Sequence, residues 1–435
     1  MGSRRSFIRN LFALTLLFVF GKKLSFHWTI DSAAASGFQP NLQGTAKRHH
    51  TQPQDSLVSI ERCASYNEDE VYFAIRRSLD AIGYKVPSGK SVLLKPNILA
   101  QNKPQQCTTT HPAVIAAVCR IFAENKCDLT IGESSAFYQG GGTEEGFVTS
   151  GIADAAGKYG AKLMAFESTN LRKITSGETL SPFYITDAVF THDIVVDLPK
   201  LKLHRLARYT GALKNTYGCI PGGAKQLYHK LYQARDDYQN FWGKPIVDVY
   251  QAVSPDLVII DGVIGLDKDG PAANGEPRET GVILSSRNGA AVDITACRMI
   301  GFDPLWVPAV AEAVRRGMAD PSVVKIIGEL PAVPYTKLPD LEKKTGLAKK
   351  VDAYMFDQLI VMPAIDLSAC IKCNECIQRC APGAISASKN GFPSIDDRVC
   401  IRCYCCEKYC PHSAIKLQGG GVNHLIRAVR MITGI

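Results

Sequence analysis

The segments CIKCNECIQRC (residues 370–380) and CIRCYCCEKYC (residues 400–410) decide the fold of the C-terminal part of this chain. Both place their cysteines in the spacing C-x2-C-x2-C-x3-C. Three cysteines at this spacing on a tight loop can supply three corners of a cubane iron–sulfur cluster, and the fourth ligand then comes from the other array. The spacing therefore predicts two [4Fe-4S] clusters, one held by Cys370, Cys373, Cys376 and Cys410, and the other by Cys400, Cys403, Cys406 and Cys380.

The two arrays belong to a longer internal duplication. Six further residue pairs match at an offset of 30 positions: Pro363 and Pro393, Ile365 and Ile395, Asp366 and Asp396, Ile371 and Ile401, Ala384 and Ala414, and Ile385 and Ile415. A unit this short cannot bury a core alone, so we expect two copies to pack about a pseudo-twofold axis and to exchange their last cysteines. We predict a small α+β domain over residues 363–417.

Residues 363–417 resemble the bacterial two-cluster ferredoxins, and this resemblance implies electron transfer with a redox partner protein. Cys410 is followed directly by proline, as that family prefers, whereas one residue separates Cys380 from Pro382. The cysteine spacing is unchanged by this departure, so we expect the cluster ligands to be retained.

Zinc sites and disulfides are the alternative explanations for so many cysteines. Neither explains three cysteines per loop in two loops. Cys405 aligns with Glu375 across the duplication, so we interpret it as a thiol that binds no cluster. The other six cysteines show no pairing pattern and indicate no disulfide framework: Cys63, Cys107, Cys119, Cys127, Cys219 and Cys297.

Residues 1–35 resemble a twin-arginine export signal. The arginine pair in SRRSFIR (residues 3–9) precedes an apolar run over 11–20, two lysines and the small residues AAA. The run has the length of a signal peptide rather than the ~20 residues that cross a bilayer. We expect cleavage after Ala35, export of the folded protein to the periplasm and no transmembrane segment. The alternative is a chance basic start followed by a retained amphipathic helix.

The basic charge of the chain lies partly in this predicted signal. The net charge is +9, but the signal contains five of the 50 basic residues and one of the 41 acidic residues, so its removal would leave +5. No recognised nucleic-acid-binding motif accompanies the densest basic run. That run consists of Lys200, Lys202, His204, Arg205, Arg208 and Lys214. We predict no nucleic-acid partner.

Residues 57–330 alternate apolar runs with helical periodicity, which is typical of α/β domains. We predict a mostly parallel sheet with flanking helices. The predicted strands cover 91–94, 128–131, 162–166, 193–198, 257–260 and 282–285, and the predicted helices 69–84, 111–125, 144–159, 290–300 and 307–316. Residues 331–362, rich in proline and charge, are predicted to be a linker, and residues 418–435 a closing helix.

Polar residues follow three of these strands directly, in the sequences Lys95-Pro96-Asn97, Gly132-Glu133-Ser134 and Asp261-Gly262. Ligands of open parallel sheets bind at the carboxyl ends of the strands. Together with Thr110-His111-Pro112, His204, Lys214-Asn215-Thr216-Tyr217-Gly218, Asp269-Gly270-Pro271 and Asp293, these segments resemble the family called domain of unknown function 362. The resemblance covers residues 57–303. It implies the α/β architecture and an iron–sulfur role, but it brings no established reaction and no catalytic residues.

The residues at the strand ends predict a ligand site. Its candidate residues are Lys95, Asn97, Glu133, His204, Lys214, Asn215, Asp261 and Asp293. Lys95, His204 and Lys214 could hold a small anionic substrate. Alternatively, Glu133, Asp261 and Asp293 could bind a divalent cation or act as general acid and base. Each side chain also has a structural explanation, such as an ion pair or a turn.

Our leading hypothesis is an exported iron–sulfur oxidoreductase whose clusters relay electrons between an external donor and the α/β ligand site. No motif for flavin or nicotinamide is present. The first alternative is a non-catalytic electron carrier or docking subunit of a redox complex. The second is a hydrolase or ligase in which the clusters only stabilise or sense.

Overall fold

The computed structural model describes residues 56–420 apart from 136–141, 234, 271–273 and most of 343–359. The predicted signal, and the predicted closing helix beyond residue 420, lie outside the described residues. The strands are β1 (Leu57–Arg62), β2 (Ser91–Pro96), β3 (Asp128–Glu133), β4 (Lys162–Ala165), β5 (Leu171–Ile174), β6 (Phe183–Thr186), β7 (Ile194–Leu198), β8 (Lys200–His204), β9 (Arg208–Thr210), β10 (Leu257–Asp269), β11 (Asn274–Ser286), β12 (Lys325–Ile327), β13 (Val361–Ile365), β14 (Ile385–Ala387), β15 (Pro393–Ile395) and β16 (Ile415–Gly419).

The helices are α1 (Glu68–Ala81), α2 (Pro112–Glu124), α3 (Thr143–Thr149), α4 (Ile152–Lys158), α5 (Ala188–Thr191), α6 (Ala212–Asn215), α7 (Ala224–Gln233), α8 (Tyr238–Phe241), α9 (Gly243–Val253), α10 (Gly289–Met299), α11 (Pro308–Arg315), α12 (Glu375–Gln378) and α13 (Cys405–Tyr409). In the described part of the chain, none of the helices combines the length and the apolar character that crossing a membrane requires.

A ten-stranded sheet confirms the predicted α/β architecture with a mostly parallel sheet. Its order is β12-β1-β11-β10-β7-β2-β3-β4, with β8 paired to β10 and β9 off this path. The run β7-β2-β3-β4 is parallel. The long strands β10 and β11 form an antiparallel hairpin, and β11 also pairs antiparallel with β1. The carboxyl ends of β2, β3 and β7 therefore meet at one edge of the sheet.

Both faces of the sheet are buried, because alternate residues of its strands point into two separate cores. In β2, Leu93 belongs to one core, whereas Val92 and Leu94 belong to the other. Buried residues of α1 and α2 fill the second core, and those of α9, α10 and α11 fill the first. Helices covering both faces leave the strand ends as the place where a ligand can enter.

Two predicted segments differ in detail from the structure. The helix predicted over 144–159 is two helices, because Gly151 adopts φ +73° between α3 and α4. Part of the predicted linker 331–362 packs on the body, since the amides of Val333 and Tyr335 donate to the carbonyls of Met299 and Ile300, and the Tyr335 side chain is buried.

The cysteine-rich segment consists of two copies of a strand–helix–strand unit, β13-α12-β14 and β15-α13-β16. The strands pair crosswise, β13 with β16 and β14 with β15. Lys372 and Asn374 have φ of 61° and 62°, and their counterparts 30 residues on, Arg402 and Tyr404, have 59° and 64°. The duplication in the sequence is therefore also a duplication of backbone conformation.

Candidate functional site

A cleft opens at the carboxyl ends of β2, β3 and β8 and encloses about 530 Å³, counting the space open to solvent. Five of the eight predicted site residues line this cleft: Asn97, Glu133, His204, Lys214 and Asn215. Three lysines that were not among the predicted site residues line it as well, namely Lys200, Lys202 and Lys225. Four lysines and one carboxylate in the same wall make the cleft electropositive.

The floor of the cleft is a buried ion pair between Lys95 and Glu133, whose Nζ and Oε2 atoms are 2.6 Å apart. Lys95 Nζ also donates to the Pro96 carbonyl at 2.7 Å. Asn215 extends this hydrogen-bond network, because its side-chain amide donates to the carboxyl of Asp197 at 2.8 Å. Lys95 therefore pairs with a carboxylate beneath the cleft. It does not line the cleft, contrary to its predicted role as an anion ligand.

Asp261 and Asp293 lie outside the cleft, and the structure does not gather them with Glu133 into one site. Asp261 accepts from Lys200 Nζ at 2.9 Å and from the backbone N–H of His111. Within the described residues, no three side chains of His, Cys, Asp or Glu are placed to hold one metal ion between them, a finding that does not bear on a [4Fe-4S] cluster, whose four cysteines each bind a different iron atom. The structure therefore does not bring Glu133, Asp261 and Asp293 together as the predicted divalent-cation site would require.

The carboxyl group of Asp293 caps α6. It accepts from the backbone N–H groups of Ala212 at 2.8 Å and Leu213 at 3.0 Å, and from the Tyr209 hydroxyl at 3.1 Å. Burial raises the pKa of Asp293 to about 7 despite these donors. Its role is to fix the helix that carries Lys214.

Three of the four cleft lysines, Lys202, Lys214 and Lys225, form no ion pair with a carboxylate in the described part of the chain. Lys202 Nζ donates to neutral acceptors, the Asn97 amide oxygen at 2.5 Å and the Thr108 carbonyl at 2.7 Å. The ammonium of Lys214 has no hydrogen bond or ion pair within the described residues. Burial, and then the charges of Lys214 and Lys200, lower the pKa of Lys202 well below its usual value.

Burial and like charges also act on the other cleft lysines. Burial, followed by the charges of Lys225 and Lys95, lowers the pKa of Lys214 to about 8. Burial lowers the pKa of Lys225 to about 8 as well. A bound anion would relieve the repulsion among these ammonium groups, so the wall favours an anionic ligand.

His204 is a hydrogen-bond donor to the cleft in its neutral form. Its Nδ1 accepts from the backbone N–H groups of Leu206 at 3.1 Å and Ala207 at 3.2 Å, which assigns the ring proton to Nε2. Burial, and then the charge of Lys214, lowers the pKa of His204 well below its usual value.

The sequence pattern indicates two of the three additional cleft lysines, Lys200 and Lys202, but not the third, Lys225. Lys200, Lys202 and His204 alternate along β8, and alternate residues of a strand share one face. This pattern could have identified them, although we considered the run as a whole only as a possible nucleic-acid-binding segment. Lys225 lies on α7, and nothing in its local sequence indicates that it reaches a cleft built by β2 and β3.

The four cysteines predicted for the first cluster line one cavity. Cys370, Cys373, Cys376 and Cys410 surround about 360 Å³, counting open solvent. The backbone N–H of Ala414 donates to Cys410 Sγ at 3.2 Å. Such N–H···S bonds suit the thiolate ligands of iron–sulfur clusters, so the residues present fit this group.

The cysteines predicted for the second cluster are also neighbours. Burial raises the pKa of the Cys400 thiol, and so do the nearby Cys403 and Cys380. Cys406 belongs to the same group, because Cys403 raises the pKa of its thiol after burial. The Ala384 N–H donates to Cys380 Sγ at 3.2 Å, matching the bond in the other copy. Cys405 is buried at the edge of this group, where its Sγ lies 3.9 Å from the Thr169 carbonyl.

The second array packs directly against the wall of the cleft. The Gly223 N–H donates to the Arg402 carbonyl at 2.8 Å, and the Gly222 N–H donates to Ser134 Oγ at 2.9 Å. A Cβ atom on Gly222 would lie 2.6 Å from the Cys403 carbonyl oxygen, so only glycine permits this approach. Ser134 lines the cleft, and a single turn therefore separates the second array from the ligand site.

The two copies of the cysteine-rich unit have opposite environments. Ile371 in the first copy is 60% exposed, whereas its counterpart Ile401 is 8% exposed and joins the core of the α/β domain. Tyr404 is also buried and packs on the α/β domain, where a Cβ atom on Gly223 would lie 2.3 Å from the Tyr404 hydroxyl oxygen. The second copy therefore faces the α/β domain and the first faces solvent.

Comparison with known proteins identifies the α/β region. Residues 92–298 match the family described as domain of unknown function (DUF362). A thylakoid-associated protein of Synechocystis sp. is 31% identical over 264 residues, which are 60% of this chain and 79% of that protein.

Two solved structures are similar at lower levels. The lactate racemase apoprotein from Thermoanaerobacterium thermosaccharolyticum is 13% identical with a TM-score of 0.36, and the match covers 56% of each chain. A protein from Thermotoga maritima is 11% identical with the same TM-score, over 55% of this chain and 60% of that one. The chain thus spans less than two thirds of either structure. On the strength of the family match and the Synechocystis relative, this chain belongs to the domain of unknown function 362 family.

Proposed function

We propose that this protein is an iron–sulfur redox protein, in which two [4Fe-4S] clusters carry electrons to a small anionic ligand in the lysine-lined cleft. The observation that carries the proposal is the packing of the second cysteine array on the Gly222 turn, which also forms the cleft wall. A carrier domain that was merely appended would not need to approach a ligand site so closely.

The cysteines of each array, together with the last cysteine of the other array, would hold the clusters. When bound, such clusters supply one-electron transfer. The residues of the cleft bind and orient the ligand. Lys202 and Lys214 would offset the negative charge that a reduced ligand gains, and the Nε2–H of His204, which lines the cleft, would donate to one of its oxygens.

The proposed route has a direction. The exposed first copy, with Cys373 and Ile371 at the surface, would receive electrons from a redox partner protein, and the buried second copy would pass them to the cleft. Electron transfer to a partner instead of a bound ligand is the carrier alternative.

Reoxidation of the reduced protein tests the proposal. Protein reduced anaerobically with dithionite and freed of excess reductant should lose its reduced-cluster spectrum faster when an oxidising organic anion that fills the cleft is added. Lys214→Gln should slow this reaction without changing the spectrum of the reduced protein. Reoxidation that is insensitive to organic anions and to Lys214→Gln would contradict a ligand site and leave the carrier function.

We also propose export to the periplasm by the twin-arginine route, supported by the sequence of residues 1–35. Replacing Arg4 and Arg5 by lysine should retain the precursor in the cytoplasm of a host with this pathway. Fractionation followed by immunoblotting measures the outcome, and unchanged export of that variant would contradict the proposal.

A further inference from the structure

We infer that the cleft is built for a small ligand with two negative charges. This inference deepens the proposed function, because it assumes that the cleft is the ligand site and specifies what the site accepts. It rests on how the charges of the cleft wall are paired. Dicarboxylates and phosphate monoesters share the required chemistry.

Two of the lysines around the cleft have their charge balanced inside the protein. Lys95 pairs with Glu133 at 2.6 Å and Lys200 with Asp261 at 2.9 Å, and all four side chains are almost completely buried. Each of these pairs is neutral as a unit, so neither requires a ligand.

The positive charge of Lys225 is partly balanced by Glu167, because both side chains bond to the Ser134 hydroxyl group. Its Nζ donates to Ser134 Oγ at 2.9 Å and to the Ser134 carbonyl. Ser134 Oγ in turn donates to the buried Glu167 carboxyl group, whose charge raises the pKa of Lys225. Lys225 therefore has an acidic neighbour, reached through Ser134, that partly balances its charge.

Lys202 and Lys214 remain as two amino groups that form no ion pair with a carboxylate in the described residues, so an anionic ligand would favour the charged form of both. Lys202 is only 3% exposed and meets two neutral oxygens, and Lys214 meets no acceptor at all in the described part of the chain. Lys202 is buried and Lys214 is partly buried, and removing an ammonium group from water without an opposite charge is unfavourable, so both are best stabilised by a ligand that supplies two negative charges. The cleft volume of about 530 Å³ is that of a small-molecule site.

Calorimetric titration with charge-matched probes tests this inference on the purified full-length protein. Succinate, a dianion, and its monoamide succinamate, a monoanion, have the same size. Methyl phosphate, used as the dianion, and dimethyl phosphate, a monoanion, differ in size by one methyl group. We expect the dianion of at least one pair to bind ~10-fold or more tightly than its monoanion, a difference of about 1.4 kcal/mol. Tighter binding of succinate would indicate a dicarboxylate site, and tighter binding of methyl phosphate would indicate a phosphate site.

Lys214→Gln should abolish most of the preference for the dianion. Lys162→Gln is the matched control, because Lys162 pairs with Asp128 at the start of β3, the opposite end of the strand from the cleft. Should Lys214→Gln fail to fold, Lys202→Gln provides the same comparison. Equal binding within both pairs, or binding of none of the four probes, would overturn the inference. If protein purified without oxygen contained no iron but preferred a dianion, electron transfer through clusters would be overturned and this inference kept, whereas protein with both clusters but no preference would do the reverse.

Discussion

At the scale of single residues, the Lys95–Glu133 pair is the part of the site with the largest expected effect on stability. Both side chains are buried and 2.6 Å apart, so Glu133→Gln would leave an uncompensated ammonium group. We expect a loss of about 3–5 kcal/mol in the free energy of unfolding, measured by urea denaturation. The double variant Lys95→Met, Glu133→Leu should recover part of this loss.

The exposed pair Lys158–Glu68 provides a control for that measurement. Both of these side chains are about half exposed, so Glu68→Gln should leave the unfolding midpoint unchanged. If Glu133→Gln were as stable as Glu68→Gln, Glu133 would not be compensating the buried charge of Lys95.

The lysines of the cleft predict how ligand binding depends on pH. The pKa of Lys214 and that of Lys225 are lowered to about 8, and an anion would raise both values. Electrostatic interactions couple these two lysines to a larger set of groups, namely Lys95, Lys202, His204, His229, Cys219, Glu133 and Glu167, and Lys225 also acts on Lys214. Since the charged forms bind, anion affinity should be full below about pH 8 and fall as the pH rises through that value.

Proton uptake accompanies such binding and can be measured directly. Titration calorimetry at pH 8 in buffers of different ionisation enthalpy should show net uptake of protons on binding succinate or methyl phosphate. Lys214→Gln should reduce the uptake. An affinity that stays constant between about pH 6 and pH 9 would contradict the assignment of these lysines to the ligand site.

At the scale of secondary-structure elements, the turn before α7 connects the second cysteine array to the cleft. Gly222 has φ +55°, and a Cβ atom there would clash with the Cys403 carbonyl. We expect Gly222→Ala to loosen the array, seen as faster hydrogen exchange over residues 400–406, at a cost of about 1–3 kcal/mol in stability.

Gly89→Ala separates that clash from simple backbone strain. Gly89 has φ +66° but no atom within 4 Å of the added Cβ, so this variant introduces the same kind of strain without the contact. Hydrogen exchange in the array that responds equally to both variants would show that the approach of the array to the turn is unimportant.

The elements also show what the sequence could and could not predict. The strand that precedes Lys95 and the one that precedes Glu133 were predictable, because continuous apolar runs end there in polar residues. The strand β8 was not predicted, since its lysines alternate with leucines, and such a charged run is typical of an exposed segment. Its burial depends on pairing with β10 and on carboxylate and carbonyl partners distant in sequence.

At the scale of the whole molecule, the order of the parts suits electron transfer from the surface to a ligand site. The first copy of the cysteine-rich unit is exposed, the second packs on the α/β domain, and the cleft lies on the far side of a single turn. The sequence predicted the cysteine arrays and the ligand site at the strand ends, but it did not predict that the second array packs against that site. That contact is made by glycines whose role depends on residues about 180 positions away.

The metal content of protein purified without oxygen tests the central claim most directly. Two [4Fe-4S] clusters require about eight iron atoms and eight acid-labile sulfides per chain, with paramagnetic signals that appear on reduction. Replacing Cys373 by serine should disturb one cluster, whereas replacing Cys405 by serine should leave both intact. Fully folded protein that contains zinc, or no metal, would contradict the account.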